Sequence, residues 1–179
     1  MATNENSDQP KIIYEQNLRA HCEVAALVLR NLPSSSPSRH HVKAAIRHAS
    51  HQVSAVRGGN NKIKAQFMSS GAELQMGFKK FDGLIAEHLV PVKVIAAMVL
   101  NLPVEEVTWE KISAIVIRYS VMALVTVKED LHLKSLDLVS SMPANWDGEN
   151  RMARYEFANI PLKETLHNFR FCVLGVSTA

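Results

Sequence analysis

Residues 91–130 read PVKVIAAMVLNLPVEEVTWEKISAIVIRYSVMALVTVKED, a stretch too apolar to lie on a surface, so the rest of the chain must pack around it. Pro103 hinges it into two segments. In the second, Ile112, Ile115, Val116, Tyr119, Met122, Ala123 and Val127 follow steps of three and four, which predicts a helix with one wide apolar face. Val121, Leu124 and Val125 widen that face until little polar surface is left. The expected architecture is therefore all-α: a single-domain bundle of roughly seven or eight helices around a buried central helix.

The same stretch is interrupted by Pro103, Glu105, Glu106, Glu110, Lys111 and Arg118, so it lacks the roughly 20 uninterrupted apolar residues of a membrane span. MATNENSDQP has no basic start followed by an apolar run, which argues against a secretory signal and for a cytoplasmic protein. Residues 1–10 carry no apolar periodicity and read as a disordered polar arm, with one α-helical domain over 11–179. With 47% hydrophobic residues, that length suffices for one core. The two cysteines, Cys22 and Cys172, are far apart and read as small apolar side chains rather than a disulfide.

Ile13, Leu18, Cys22, Ala25, Val28 and Leu32 predict an amphipathic helix over 12–32, ended by the loop 33–38. Val42, Ile46, Ala49, Val53 and Val56 predict a second over 39–57, stopped by Gly58, Gly59, Asn60 and Asn61. Residues 62–76 are less regular. Phe78, Phe81, Leu84, Ile85 and Leu89 predict a further helix ending before Pro91. Residues 131–142 fit a short helix or a strand, with helix preferred. Short helices are expected over 146–157 and after Pro161, and 171–176 is β-prone.

Motifs for catalysis are missing from the sequence. Arg57-Gly58-Gly59-Asn60 lacks the spacing and lysine of a phosphate loop, and no serine sits between glycines as in a nucleophile elbow. His48 and His51 stand one turn apart, but no cysteine or acidic residue nearby completes a zinc set, so they read as part of a solvated face with His40 and His41. The expectation is a protein that is not an enzyme and takes no metal or cofactor.

Charge is distributed unevenly. No acidic residue occurs between Glu23 and Glu73, whereas Arg30, Arg39, Lys43, Arg47, Arg57, Lys62 and Lys64 do, which leaves the remainder of a +3 chain net acidic. Arg39, Lys43 and Arg47 lie off the Val42 stripe and predict an exposed basic face continued by Arg57, Lys62 and Lys64. Such a face attracts a phosphate backbone without reading bases. No aromatic residue lies between Tyr14 and Phe67, so stacking on bases is not expected from this segment.

Pro143-Ala144-Asn145-Trp146, followed by Arg154-Tyr155-Glu156-Phe157, resembles the core of the coat proteins of flexuous filamentous plant viruses. That resemblance implies a helical subunit that polymerises on single-stranded RNA, with Trp146, Arg154 and Phe157 matching its core residues. Here Phe157 is followed by Ala158-Asn159-Ile160 instead of the acidic-aromatic ending of that family. A second resemblance is to the Bcl-2 family of apoptosis regulators: Val42, Ile46, Ala49, Ser50 and Val53 match the spacing of its third homology motif, and Thr108-Trp109-Glu110-Lys111-Ile112 looks like its first. It implies a hydrophobic groove beside the central helix for the amphipathic helix of a partner protein, in which Trp109 and Lys111 would matter most. His51 replaces the usual acid of the third motif, and Glu110 and Lys111 replace the glycine and arginine of the first. The first expectation is an RNA-binding or RNA-packaging homo-oligomer; the alternative is a helix-binding interaction protein.

Overall fold

The computed structural model describes residues 9–56, 65–78 and 82–165. Among them are seven α-helices and a four-stranded mixed sheet, so the fold is mixed α/β and the all-α expectation is overturned. The helices are α1 (Gln9–Asn31), α2 (His40–Val56), α3 (Ser70–Gly77), α4 (Val92–Leu100), α5 (Trp109–Tyr119), α6 (Val127–Ser135) and α7 (Ala153–Phe157). The strands are β1 (Phe67–Ser69), β2 (Leu84–His88), β3 (Met122–Thr126) and β4 (Leu162–Glu164), in the order β2-β3-β1-β4. β1 runs parallel to β3, while β2 is antiparallel to β3 and β4 antiparallel to β1.

The expected central helix is two elements. α5 begins where Thr108 caps it, its hydroxyl accepting from Lys111 N at 3.1 Å, and ends at Ser120. The chain then continues extended as β3. A helix through this point would have to bury a side chain on every face. As a central strand the same run buries both faces by simple alternation, with Ala123 and Val125 on one side and Leu124 on the other. The predicted helix over Phe78 to Leu89 fails for a related reason. Gly83 turns at φ +79 and its carbonyl accepts from Val127 N at 2.9 Å, and Leu84–His88 pairs with β3 from Leu84↔Thr126 to His88↔Met122. Pro161 opens β4, where a helix was expected. Over 146–157 only Ala153–Phe157 is helical, and over 131–142 the helix ends at Ser135.

Where hydrophobic period and length agree, the expected helices form, although Ile13, expected on the buried stripe of the first, is 55% exposed because the step of five to Leu18 carries it about 140° round the helix. Leu18, Cys22 and Ala25 of α1 and Val42, Ile46, Ala49 and Val53 of α2 are fully buried, and with α4 and α5 they form one core. α1 starts at Gln9, within the stretch expected to be an unstructured arm. Residues 1–8, Phe81, Cys172 and the β-prone segment 171–176 lie outside the described residues. Burial pushes the Cys22 thiol up to about 12, with the neighbouring Glu23 charge adding to it, so it stays an apolar thiol.

Both turns that leave the parallel strands are locked by one carboxylate. Ser69 caps α3 by accepting from Ala72 N, and Thr126 caps α6 in a reciprocal capping box with Glu129. Glu129 Oε2 also accepts from Ser69 Oγ at 2.6 Å, which ties the end of β1 to the end of β3. Gly71 has no side chain because a Cβ there would stand 2.8 Å from Glu129 Oε1. The C-terminal ends of parallel strands with helix N-termini beside them commonly hold an anion. Here the protein fills that place with its own carboxylate.

Candidate nucleic-acid interface

α2 turns its apolar stripe into the core together with Ala45, Ser50 and Ser54, and its cationic and imidazole side chains outward. A 3-10 turn, Pro37–Arg39, capped by Ser36, delivers the chain into the helix. Lys43, Arg47, His40, His41, His48 and His51 are exposed and Arg39 is partly exposed. The structure thus brings Arg39, Lys43 and Arg47 to one helix and its entry turn, while Arg57, Lys62 and Lys64 lie outside the described residues. Among the described residues none of the three has a carboxylate partner, in contrast to Arg19, Lys111, Arg118 and Lys163, which pair with Glu23, Glu106, Glu149 and Glu73. Arg39 Nε is buried without an acceptor among the described residues. The first turn of α2 contains no acid, so the positive end of its backbone dipole adds to these cations.

The histidines are arranged by contacts with protein. His40 Nδ1 lies 2.6 Å from Pro37 O; a carbonyl only accepts, so Nδ1 carries the proton. The rings of His40 and His41 approach to 3.8 Å. His48 stacks on His21 of α1 at 5.3 Å, and burial, then the His48 charge, holds His21 below its ordinary value. No group of three or more histidine, cysteine or acidic side chains among the described residues could hold a metal.

A serine and a histidine do meet inside the protein. Ser54 Oγ is 3.1 Å from His88 Nε2, but the single Ser54 proton is donated to Ser50 O at 2.9 Å. The imidazole must therefore donate to the hydroxyl, which is the wrong polarity for a base activating a nucleophile. The pair fastens α2 to β2.

The residues of the two resemblances divide differently. Trp146 stands on a turn, donates Nε1–H to Asn150 O at 2.8 Å and meets Tyr119 edge-on at 6.3 Å; Phe157 is exposed. Arg154, the basic residue of the coat-protein core, is 1% exposed and turned inward, so it cannot reach RNA in this fold. It donates to the carbonyls of Leu89 (2.9 Å), Leu138 (2.8 Å) and His88, and pairs with Glu87 at 3.1 Å. Burial pushes the neighbouring Tyr155 hydroxyl up, so it keeps its proton and donates it to Glu87. Sequence reasoning missed this cluster, because nothing in the spacing of Glu87, His88 and Arg154 signals that they meet.

Of the Bcl-2-like residues, Val42, Ile46, Ala49, Ser50 and Val53 are all buried within the helical layer. Trp109 begins α5 with the Arg19 guanidinium 4.6 Å above its ring, and Lys111 pairs with Glu106 at 3.4 Å. A recess of about 430 Å³ lies between α1 and the start of α5, bordered by Leu27, Arg30, Trp109 and Glu110. No described helix is long and apolar enough to cross a membrane. The chain matches no family model, no curated protein and no solved structure.

Proposed function

We propose that the protein is a non-enzymatic, cytoplasmic RNA-binding subunit that contacts the phosphates of single-stranded RNA through α2 and works as part of a homo-oligomer. The observation that carries this reading is a helix without a single acid, whose stripe Val42, Ile46, Ala49 and Val53 is buried while Lys43 and Arg47 stand in solvent with no carboxylate partner among the described residues. Exposed cations with no carboxylate partner among the described residues are available to a polyanion. The entry turn adds Arg39 and the α2 dipole adds its positive end. Without an aromatic residue between Tyr14 and Phe67, the surface favours backbone contact over base recognition.

The test is charge reversal. Changing Arg39, Lys43 and Arg47 together to glutamate is expected to weaken binding to a labelled single-stranded RNA by about a hundredfold or more at low salt, measured by fluorescence anisotropy. Trp109→Ala, at the start of α5 beneath Arg19 of α1, is expected to leave RNA affinity unchanged. Equal affinity of the triple variant and the parent would sink the reading.

A further inference from the structure

The chain holds seven prolines, and only Pro37 follows a hydroxyl residue. Ser36-Pro37 lies in the connection between α1 and α2, where Pro33, Ser34, Ser35 and Pro37 are exposed and Ser36 is partly exposed. Proline holds the residue before it extended, and Ser36 stands at φ −63, ψ 129. Its backbone bonds are local, Ser36 N to Pro33 O at 2.9 Å and Arg39 N to Ser36 O at 3.1 Å, so none ties it into a sheet. The hydroxyl oxygen accepts from Ser38 N at 3.3 Å and gives its own proton to no described residue. An exposed, extended serine before a proline is the form in which an enzyme that modifies peptide hydroxyls takes its substrate.

The surroundings of the hydroxyl suit a dianion. In a 3-10 turn, side chains three apart lie one above the other, which brings Arg39 to the side of Ser36. Arg39 Nε is a buried donor without an acceptor among the described residues. Ser38 N–H already points at Ser36 Oγ, and neither the 3-10 turn nor the first turn of α2 contains an acid. A phosphate on Oγ would meet an unpaired guanidinium, a backbone N–H and the positive end of the α2 dipole.

We propose that Ser36 is a phosphorylation site that closes the α2 face to RNA, modified by a serine kinase that reads the following proline. Oγ attacks the γ-phosphorus of a nucleoside triphosphate. The Oγ–P bond forms, the bond from that phosphorus to the bridging oxygen breaks, the nucleoside diphosphate leaves, and the hydroxyl proton passes to the kinase's base. The product adds about two negative charges at neutral pH beside Arg39, one helical turn before Lys43, and so offsets most of the charge that Arg39, Lys43 and Arg47 offer a polyanion. The effect on RNA rests on the reading of α2 above; the site itself does not.

The full chain is incubated with a proline-directed serine kinase and magnesium ATP, and tandem mass spectrometry locates the phosphate. Incorporation is expected at Ser36 and is expected to be lost in both Ser36→Ala and Pro37→Ala, with far-UV circular dichroism checking that both variants fold as the parent does. Fluorescence anisotropy with a labelled single-stranded RNA should then show the phosphorylated chain binding about tenfold or more weakly at low salt, while Ser36→Ala, treated identically, keeps the parent's affinity. The phosphate also reports on its neighbours. Followed by phosphorus NMR, it should titrate below its ordinary value of about 6, and Arg39→Gln should return it toward that value. A chain that takes no phosphate at Ser36 overturns the site, and a phosphorylated chain that binds RNA as well as the unmodified one overturns its control of α2. An unshifted titration overturns the contact with Arg39. If the unmodified chain binds no RNA, the α2 reading and the control built on it fail together, and incorporation and titration alone decide the site.

Discussion

Replacing Arg154 with alanine is expected to destabilise the fold by about 3–5 kcal/mol, the cost of breaking a buried pair while leaving the other partners behind. The guanidinium satisfies the carbonyls of His88 and Leu89 at the end of β2 and of Leu138 beyond α6, and it neutralises Glu87. Alanine would leave those acceptors in a dry interior and Glu87 held only by Tyr155. Because whole domains are stable by only about 5–15 kcal/mol, the loss should show as a large drop in the urea midpoint or as insoluble protein. Arg154→Lys should recover only part, since one ammonium cannot span acceptors that a planar fork reaches together. Glu87→Gln should cost less, because that side chain is 17% exposed and water can replace part of what is lost. A midpoint for Arg154→Ala close to the parent would show that the cluster does not hold the sheet to α7.

Acidification should weaken the protein well before the carboxylates titrate. His88 is held down to about 4, mainly because burial disfavours its charged form, with the Arg154 guanidinium and His51 acting in the same direction. In the unfolded chain the imidazole takes up its proton near its ordinary value of 6.5. Between those two values the unfolded state binds more protons than the folded one, so stability rises with pH through that window and falls as pH drops through it. The full difference corresponds to about 3 kcal/mol, reached near pH 4. Urea melts at pH 7, 6, 5 and 4 measure it. His88→Gln, which keeps a hydrogen bond to Ser54 without a titrating ring, should flatten the slope between pH 6.5 and 4; an equal slope in parent and variant would assign the acid sensitivity to other groups.

The parts of the fold that were legible are those whose burial repeats within one element. α1 and α2 each bury a single stripe over about three turns, so Leu18, Cys22 and Ala25 and then Val42, Ile46, Ala49 and Val53 are marked by spacing alone. The strands carry no such mark. Met122–Thr126 is buried on both faces, so its composition is uniformly apolar and continues the helical pattern of Ile112 and Val116 without a break. Its partners come from far along the chain, Phe67 facing Ala123 and Ile85 facing Val125, and sheet pairing of that kind leaves no local trace. Leu84, Ile85 and Leu89 mimic a helical face because two of them lie on opposite faces of β2 and the third just beyond it. Of the basic face, the segregation of charge was plain in sequence because α2 has no acids at all. The inward turn of Arg154 was not, since a lone arginine beside a tyrosine looks the same whether it faces solvent or the carbonyls of a closed core.

The central claim is that cations on α2 hold RNA by its phosphates, and the salt dependence of binding tests it most directly. Anisotropy with a labelled single-stranded RNA across a salt series should give a log affinity that falls linearly with log salt, with a slope of about −2 or steeper if Arg39, Lys43 and Arg47 each neutralise one phosphate. Lys43→Gln should make that slope shallower by about 0.7, and the triple glutamate variant should abolish it. An affinity indifferent to salt, or a slope that the triple variant leaves in place, would contradict phosphate contact through this helix.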